Sequence, residues 1–510
     1  MQETRFYGKH DTLSLDNIQR RRSRPSNVIP VIEAIRPEIT PLEAYLKLKS
    51  PGAYSFLLES ADTGGKSAKY SFIGSSGSVI SIKDGEISID GSIVENYPGG
   101  PVKLLKDIMA GFKPARPVFV HEESFYGYNP QVPVFFGGLA GYISYDFIRY
   151  VDNIGDTADD DIGCQDAELL FVKDLVVYDH EQKMTLLVSS AIDDGNDRDG
   201  QVKAAIGRIR SMKEAMKGET PRFEEHASGE QHMEVKFSTS REQFVKMVER
   251  AKEYILDGDA FQIVLSQRAE ITADIDPVAL YRALKEINPS PYMYFLEFGD
   301  TVIAGSSPEI LAKVEDRKVT VRPIAGTRPR GATEEDDKRL EDEMKADPKE
   351  LAEHVMLVDL GRNDAGKVSR FGTVVVNDYL AVEKYSHVQH IVSNVVGELQ
   401  DDKDAIDVLA ATFPAGTVSG APKTRAMQII EELEGRRRGL YAGCVGYFCF
   451  NDNADLAIAI RTILLKNGKA YVQAGAGIVT DSVPENEYVE SMNKGAAMMK
   501  AIGYAIKGGK

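Results

Sequence analysis

Two short segments in the C-terminal half each carry a pair of carboxylates at a spacing suited to metal binding. The pairs are Glu350 with Glu353 and Glu487 with Glu490. Residues three positions apart share one face of a helix, so each pair presents its oxygens toward one point. Carboxylate oxygens without Cys or paired His ligands favour Mg²⁺ over zinc or a redox metal. Such pairs are also common on exposed helices, so the spacing alone leaves a metal site and a solvated surface both open.

Basic residues that stand beside glycine, proline or acids form a second group with chemical potential. They are Arg328, Arg330, Arg362, Lys423, Arg425, Arg461 and Lys494. The formal net charge of −17 argues against nucleic acid or an anionic membrane as a partner. A solvated basic face does not usually surround its cations with glycine and proline. The pattern therefore predicts a small anionic ligand.

Glycine-rich runs in the same half do not complete a nucleotide-binding motif. In Gly416–Thr424, Pro422 interrupts the pattern that a phosphate loop requires. In the run QAGAGIVT, Thr480 occupies the third glycine position of a dinucleotide fingerprint. Neither phosphate-loop chemistry nor dinucleotide binding is expected from these runs.

The cysteines are too few and too widely spaced for a disulfide framework or a CxxC zinc site. They are Cys164, Cys444 and Cys449. Free cysteines in apolar runs are mostly buried, so we expect structural thiols in a reducing compartment. No cysteine lies in a glycine elbow with a downstream His-x-Glu pair, so a built-in glutaminase is not expected. Any ammonia would come from elsewhere.

The elements that must position these side chains indicate a mixed α/β (α+β) fold with large sheets. We predict a polar tail over 1–26, an N-terminal lobe over 27–212, a polar linker over 213–237 and a C-terminal catalytic lobe over 238–510. Ser240 is a plausible N-cap for the next helix, and FQIVLSQRAEI reads as a strand. Further helices are predicted at 334–359, 404–412, 421–434 and 484–506. No apolar run has membrane-spanning length, and the first residues do not form a signal peptide, so a cytoplasmic protein is expected.

Six segments in the C-terminal half follow one another in an order that resembles the chorismate-utilising enzyme family. The segments are PIAGTRPRG, DPKELAEHVMLVDLGRND, KYSHVQHIVSNVVGEL, FPAGTVSGAPKTRAMQIIEELEGRRRGLYAGCVGYF, AIRTILL and VQAGAGIVTDSVPENEYVE. Together they cover most of 240–505. The resemblance implies a large two-lobed β-sandwich flanked by helices, with chorismate and Mg²⁺ bound in the C-terminal lobe.

The resemblance also implies roles for individual residues. Glu353 and Glu490 would hold Mg²⁺, which binds the ring carboxylate of chorismate, and Glu350 and Glu487 would support them. The groups that bind substrate would be Gly326 and Thr327 at the ring, Tyr441 and Arg461 at the enolpyruvyl carboxylate, and the backbone of Gly475, Ala476 and Gly477 at the ring carboxylate. His390 and Thr327 would be catalytic, with His390 assisting departure of the ring hydroxyl. His387 is a weaker rival on the same segment.

Two positions distinguish among the reactions of this family. Members that add water carry a lysine in the strand where this chain has Gln262, and members that form a covalent intermediate carry a lysine where it has Ala325. Neither residue can do that chemistry. The remaining reaction is addition of ammonia to the ring and loss of pyruvate, which forms anthranilate, the first committed step of tryptophan synthesis. An aminodeoxychorismate synthase, another chorismate enzyme or a chorismate-binding module without turnover stays as the alternative.

The resemblance further implies a partner and an effector. Ammonia would be delivered from glutamine by a separate glutamine amidotransferase subunit, and tryptophan would inhibit by feedback. The expected tryptophan-binding residues are Ser60, at the end of SFLLES in the N-terminal lobe, and Pro291, Tyr292 and Met293 from the other lobe. A site that straddles two lobes can couple effector binding to their orientation.

Overall fold

The computed structural model describes residues 26–36, 38–49, 54–60, 69–120, 131–219, 233–384 and 388–506. The predicted tail lies outside these residues except for Ser26, and His387 lies outside them as well. In the part of the chain that the structure describes, no helix is long and apolar enough to cross a membrane.

The strands belong to two large sheets. In chain order they are β1 Val28–Ile35, β2 Tyr54–Glu59, β3 Tyr70–Ser76, β4 Val79–Lys83, β5 Glu86–Ile89, β6 Ser92–Val94, β7 Val118–Val120, β8 Gly138–Ile143, β9 Ala167–Val172, β10 Asp174–Asp179, β11 Met184–Ile192, β12 Glu234–Phe237, β13 Gln262–Thr272, β14 Tyr292–Phe298, β15 Thr301–Ser307, β16 Ile310–Glu315, β17 Lys318–Val321, β18 Ile324–Pro329, β19 Val375–Lys384, β20 Val388–Glu398, β21 Gly420–Ala421, β22 Cys444–Cys449, β23 Ala454–Ile458, β24 Thr462–Lys466 and β25 Lys469–Ile478.

Helices cover the outer faces of the sheets. They are α1 Pro41–Leu48, α2 Gly100–Ala110, α3 Arg198–Lys217, α4 Arg241–Leu256, α5 Pro277–Ile287, α6 Glu334–Ala346, α7 Pro348–Gly366, α8 Ala405–Thr412, α9 Lys423–Glu434 and α10 Pro484–Ala505, with short 3₁₀ turns at Tyr145–Tyr150 and Gly416–Val418. The predicted strand FQIVLSQRAEI is confirmed as β13. Ser240 caps α4 and forms a capping box with Gln243, as its position predicted.

Both sheets run without interruption through the N-terminal and C-terminal halves of the chain. The 13-stranded sheet has the order β12-β13-β25-β24-β15-β14-β2-β3-β10-β11-β1-β7, with β21 beside β13. The 12-stranded sheet has the order β18-β20-β17-β16-β23-β22-β8-β9-β4-β5-β6, with β19 beside β20. The halves join where Tyr294 pairs with Leu58 in the first sheet and Gly446 pairs with Gly141 in the second. The expected large β-sandwich is therefore confirmed, and both of its sheets contain strands from both halves of the chain.

The main core lies between the two sheets, and strand β14 shows how the sequence builds it. Tyr294 and Leu296 point into the core shared by the sheets, whereas Met293 and Phe295 point to the opposite face, under α1 and α5. Because successive side chains in a strand point to opposite faces, one strand serves both layers. The three cysteines are buried thiols without disulfides, as expected.

Two expectations need correction at their edges. The helix predicted over 334–359 is interrupted, because Asp347 has an extended backbone and caps α7, whose first residue is Pro348. Proline disfavours the helical conformation in the residue before it and is well placed at the first position of a helix. The segment 213–237 is not all linker, because α3 continues to Lys217 and β12 pairs with β13. The division into lobes stays a prediction.

Candidate active site

A backbone irregularity in the pairing of β18 with β20 brings Thr327 and His390 together. The register shifts between Ala325 and Thr327, so that Thr327 pairs directly with His390. His390 Nδ1 lies 2.9 Å from the carbonyl oxygen of Gly326 and 3.1 Å from the hydroxyl of Thr327. A proton on Nδ1 that is donated to the carbonyl leaves Nε2 as the basic nitrogen of the neutral ring.

The irregularity depends on Gly326. Its φ is +61°, and a Cβ there would lie 3.2 Å from the sulfur of Met344 and 3.3 Å from Ile391. A left-handed backbone with so little room favours glycine. The neighbouring Ala325 is buried and pairs with Ile391, so this position holds only a methyl group and has no nucleophile.

Helix α7 brings the first carboxylate pair to the ends of β13 and β18. Gln262 Nε2 donates a 3.1 Å hydrogen bond to Glu353 Oε1, and Arg328 forms a 2.8 Å ion pair with Glu350. Burial raises the pKa of Glu353, the negative charges of Glu350 and Glu490 raise it further, and the hydrogen bond from Gln262 opposes them. A carboxylate held in this way gains from a nearby cation.

Helix α10 brings the second pair to the same place. Glu490 forms a 2.7 Å ion pair with Lys494, whose ammonium also donates a 3.1 Å hydrogen bond to the carbonyl oxygen of Gly475. Burial raises the pKa of Glu487, and the charge of Glu490 adds to the effect. Among the described residues, no three His, Cys, Asp or Glu side chains converge to hold a metal by themselves. Two carboxylates nevertheless suit Mg²⁺, which often takes one or two protein ligands and completes its shell with water and substrate.

Arg461 supplies the positive charge on one side of the site, and Tyr441 lies near it. Arg461 has a φ of +52°, a conformation uncommon for a residue with a side chain, and its Nη1 donates a 3.0 Å hydrogen bond to the carbonyl oxygen of Lys494. Burial lowers the pKa of Arg461, and the nearby Tyr441 opposes that effect. Burial also lowers the pKa of His390, and the charge of Arg461 lowers it further. Arg461 is therefore close enough to both residues to act on them electrostatically.

The small residues of β25 make room for these side chains. A Cβ on Gly475 would lie 2.5 Å from the carbonyl oxygen of Leu265 and 2.9 Å from the hydroxyl of Tyr441. A Cβ on Gly477 would lie 2.7 Å from Nε2 of Gln262, the group that binds Glu353. Ala476, between them, is fully buried. The glycines therefore allow the predicted anion pocket and the carboxylate pair to lie side by side.

Sequence reasoning missed Glu309, which follows β15 in the run SSPEIL. Burial raises its pKa to about 8, and the charge of Lys494 offsets only part of this effect. Burial therefore favours the protonated carboxyl, which is the form that can donate a proton. The signal for it was weak, since it consists of one acidic residue between two apolar strands. In the sequence Lys494 is one of several cations, and its contact with Gly475 depends on the fold.

The four residues expected to bind an effector lie in the wall of one cavity between the sheets. Ser60, Pro291, Tyr292 and Met293 all line a space of about 540 Å³, although the side chain of Met293 packs in the core on the other face of its strand. Leu58 and Phe72 continue that wall on the first sheet. The second sheet contributes Lys313, Val445, Tyr447, Asp455 and Ala457. The space is large enough for an aromatic amino acid.

Comparison with known proteins places the chain in a family. Residues 108–500 match the model of the chorismate binding enzyme family. The chain is 45% identical to anthranilate synthase component 1 of Acetivibrio thermocellus, over 93% of this chain and 95% of that protein. It is 45% identical to the protein of the same name from Aquifex aeolicus, over 96% of this chain and 97% of that protein. The crystal structure of anthranilate synthase component I from Streptococcus pneumoniae superposes with a TM-score of 0.73 at 36% identity, over 90% of this chain and 97% of that one. The chain therefore belongs to the chorismate binding enzyme family, and within it to the anthranilate synthase component 1 proteins.

Proposed function

We propose that this chain is the chorismate-converting subunit of an anthranilate synthase, which adds ammonia to chorismate and releases anthranilate and pyruvate. Its high identity to anthranilate synthase component 1 proteins over nearly the whole chain carries the proposal. The residues at the two decisive positions support it. Gln262 is hydrogen-bonded to Glu353, and an amide side chain cannot act as the base that activates water. Ala325 has no nucleophile and cannot form a covalent intermediate.

Mg²⁺ fits the donor set of the site. The oxygens of Glu353 and Glu490 are the hard ligands that Mg²⁺ prefers. Glu353 is buried near the negative charges of Glu350 and Glu490, so the electrostatic potential at its carboxylate attracts a cation. We propose that these two residues hold the ion and that Glu350 and Glu487 surround it. Bound Mg²⁺ would supply positive charge to the ring carboxylate of the substrate.

The cationic side of the site is proposed to hold the second carboxylate of chorismate. The planar guanidinium of Arg461 can bind a carboxylate through two parallel hydrogen bonds. Tyr441 lies within the range of its charge, and the hydroxyl of this tyrosine lies close to Gly475 of β25. The backbone of Gly475–Gly477 can approach the ring carboxylate closely because no side chain intervenes at either glycine.

Proton transfer is proposed to involve two groups that are both mainly uncharged at neutral pH, one as a proton acceptor and one as a proton donor. The lowered pKa of His390 keeps its ring neutral, so it can accept or relay a proton through the nitrogen opposite Gly326. The raised pKa of Glu309 keeps that carboxyl protonated, so it can supply a proton to a departing hydroxyl. Thr327 fixes the histidine ring from the neighbouring strand.

Nitrogen is proposed to arrive from a separate glutamine amidotransferase subunit. The name "component 1" carried by the relatives implies a second component. The test compares purified chain with ammonium, purified chain with glutamine, and the two-subunit complex with glutamine, each with chorismate and Mg²⁺. We expect anthranilate fluorescence in the first and third samples and none in the second. Absence of anthranilate with ammonium would overturn the proposal, and an aminated product that retains the enolpyruvyl group would identify the aminodeoxychorismate alternative.

Feedback inhibition by tryptophan is proposed to act at the cavity lined by Ser60 and Pro291–Met293. The walls come from both sheets, so a ligand there can bias how the two sheets sit against each other. The variant Ser60→Phe places a bulky ring in the wall of the cavity and should weaken inhibition while anthranilate formation continues. Unchanged inhibition would remove Ser60 from the site. We further propose that the protein works in the cytoplasm, where chorismate and glutamine are present.

A further inference from the structure

The segment that carries Tyr441 is held in place by the N-terminal half of the chain. This segment, residues 435–443, leads from α9 into β22. The backbone N–H of Asp159 donates a 3.1 Å hydrogen bond to the carbonyl oxygen of Gly435, and its carbonyl oxygen accepts a 3.0 Å hydrogen bond from Arg437. These partners are far apart in the sequence, so the contact forms only in the folded chain.

Nearer to Tyr441, the 3₁₀ turn that begins at Tyr145 holds Gly439 on both of its backbone groups. The N–H of Tyr145 donates a 2.8 Å hydrogen bond to the carbonyl oxygen of Gly439, and the N–H of Gly439 donates a 2.9 Å hydrogen bond to Oδ2 of Asp146. Gly439 has a φ of +58°, and a Cβ there would lie 3.3 Å from the Cβ of Cys164. Glycine is favoured in such a left-handed, confined position, so the turn fixes a backbone that only this residue adopts easily.

Asp146 is itself anchored, because both of its oxygens have partners. Nη2 of Arg149 lies 3.2 Å from Oδ1 of Asp146 and 2.8 Å from Oε2 of Glu431 on α9. Burial raises the pKa of Asp146 to about 6, whereas Arg149 and the N–H of Gly439 oppose this shift. The two contacts therefore stabilise the carboxylate and prevent it from turning away from Gly439.

Arg438 extends the contact from this turn to the ring of Tyr441. Its guanidinium carbon lies 4.8 Å from the ring centroid of Tyr145 and 5.4 Å from that of Tyr441. Arg438 is buried and forms a 2.6 Å ion pair with Glu434. A guanidinium is attracted to the face of an aromatic ring. One fixed cation therefore contacts both the N-terminal turn and the tyrosine that is proposed to bind substrate.

We propose that Asp146 is a positioning residue for chorismate, which fixes Gly439 and thereby holds the hydroxyl of Tyr441 where the enolpyruvyl carboxylate binds. The inference rests on the proposed role of Tyr441 and extends it to a residue of the other half of the chain. The hydroxyl lies only 2.9 Å from where a Cβ on Gly475 would stand, so β25 leaves the ring little freedom on that side. A displacement of about 1 Å in a binding group can weaken its contact severely.

The test measures ammonium-dependent anthranilate formation with chorismate as the varied substrate. Asp146→Ala removes the acceptor for Gly439, so we expect the KM for chorismate to rise about tenfold while kcat changes about threefold or less. In a Tyr441→Phe background the same change should raise KM about twofold or less, because the hydroxyl that it positions is already gone. Asp146→Asn keeps an oxygen for Gly439 and should restore most of the native KM.

Asp179→Ala is the matched control. Asp179 is also a buried carboxylate, and it accepts a 2.8 Å hydrogen bond from the backbone N–H of Gln182, within the N-terminal half itself. This variant should keep the native KM. If Asp146→Ala does not fold, Tyr145→Leu takes its place in the same comparison, since it removes the ring that Arg438 contacts.

Equal rises in KM in the native and Tyr441→Phe backgrounds would show that Asp146 acts other than through Tyr441, and would overturn the inference. A native KM in Asp146→Ala, or a rise in Asp146→Asn equal to that in the alanine variant, would do the same. A native KM in Tyr441→Phe alone would remove the hydroxyl from the carboxylate site and the inference with it. In all these cases anthranilate formation would still support the proposed reaction, whereas its absence from the native chain would overturn both.

Discussion

The hydrogen bond from Gln262 to Glu353 should control how well the site binds Mg²⁺ in acid. Gln262 is 3% exposed, and its side chain donates a 3.1 Å hydrogen bond to the carboxylate of Glu353. Burial and the charges of two neighbouring carboxylates raise the pKa of Glu353. The bond lowers the pKa of Glu353, so the variant Gln262→Leu, which has no donor, should raise it. Because Mg²⁺ binds only the ionised carboxylate, protons should then compete with the metal at a higher pH.

The size of the effect follows from the type of bond. A hydrogen bond to a charged group contributes about 1.5–3 kcal/mol, and each 1.36 kcal/mol is about tenfold in an equilibrium constant. We therefore expect the Mg²⁺ concentration for half-maximal activity to rise about 10- to 150-fold at acidic pH, with a smaller rise at alkaline pH. The acidic limb of the activity profile should move to higher pH.

The assay is ammonium-dependent anthranilate formation, titrated with Mg²⁺ at several pH values. Gln267→Leu is the matched control, because Gln267 is buried on the same strand and donates a 2.6 Å hydrogen bond to the hydroxyl of Ser491, not to a carboxylate. It should leave the acidic limb in place. An unmoved limb in Gln262→Leu, or an equal movement in the control, would refute the argument.

Three further outcomes test the site. Gly475→Ala places a Cβ 2.5 Å from the carbonyl oxygen of Leu265, and such overpacking costs about 1–3 kcal/mol, so kcat/KM for chorismate should fall about 5- to 150-fold. Gly503→Ala, where nothing lies within 4 Å, should keep native kinetics. His390→Gln should lower kcat about 100-fold or more with little change in KM, in steady-state assays, and an unchanged kcat would exclude the histidine from proton transfer. Arg461→Lys should raise the KM for chorismate about tenfold, since one ammonium cannot form the paired hydrogen bonds of a guanidinium, and an unchanged KM would place the substrate carboxylate elsewhere.

Much of the site could be predicted from the sequence because its parts are local. A helix face is defined by residues three or four apart, so the pairs at Glu353 and Glu490 were visible as patterns. Ser240 was visible as a cap for the same reason. The ordered segments of the C-terminal half also identified the family, which the comparisons then confirmed.

Other features depend on contacts between distant parts of the chain. The break before Pro348 was missed because the apolar pattern continues across it, although a proline there allowed it. The raised pKa of Glu309 follows from its burial, and the groups that act on it, Thr417 and Lys494, are remote from it in sequence. Local patterns do not record how deeply a carboxyl group is buried or which charge faces it.

The sequence by itself determined the family, the carboxylate pairs and the absence of the two lysines that other reactions use. Only the tertiary structure decided that Gln262 hydrogen-bonds to Glu353 and that a register shift pairs Thr327 with His390. It also decided that Tyr292 and Asp455 line the same cavity. The physical reason is the same in each case. Residue types and short spacings limit which chemistry is possible, whereas sheet pairing between segments tens to hundreds of residues apart determines which groups meet and how much water reaches them.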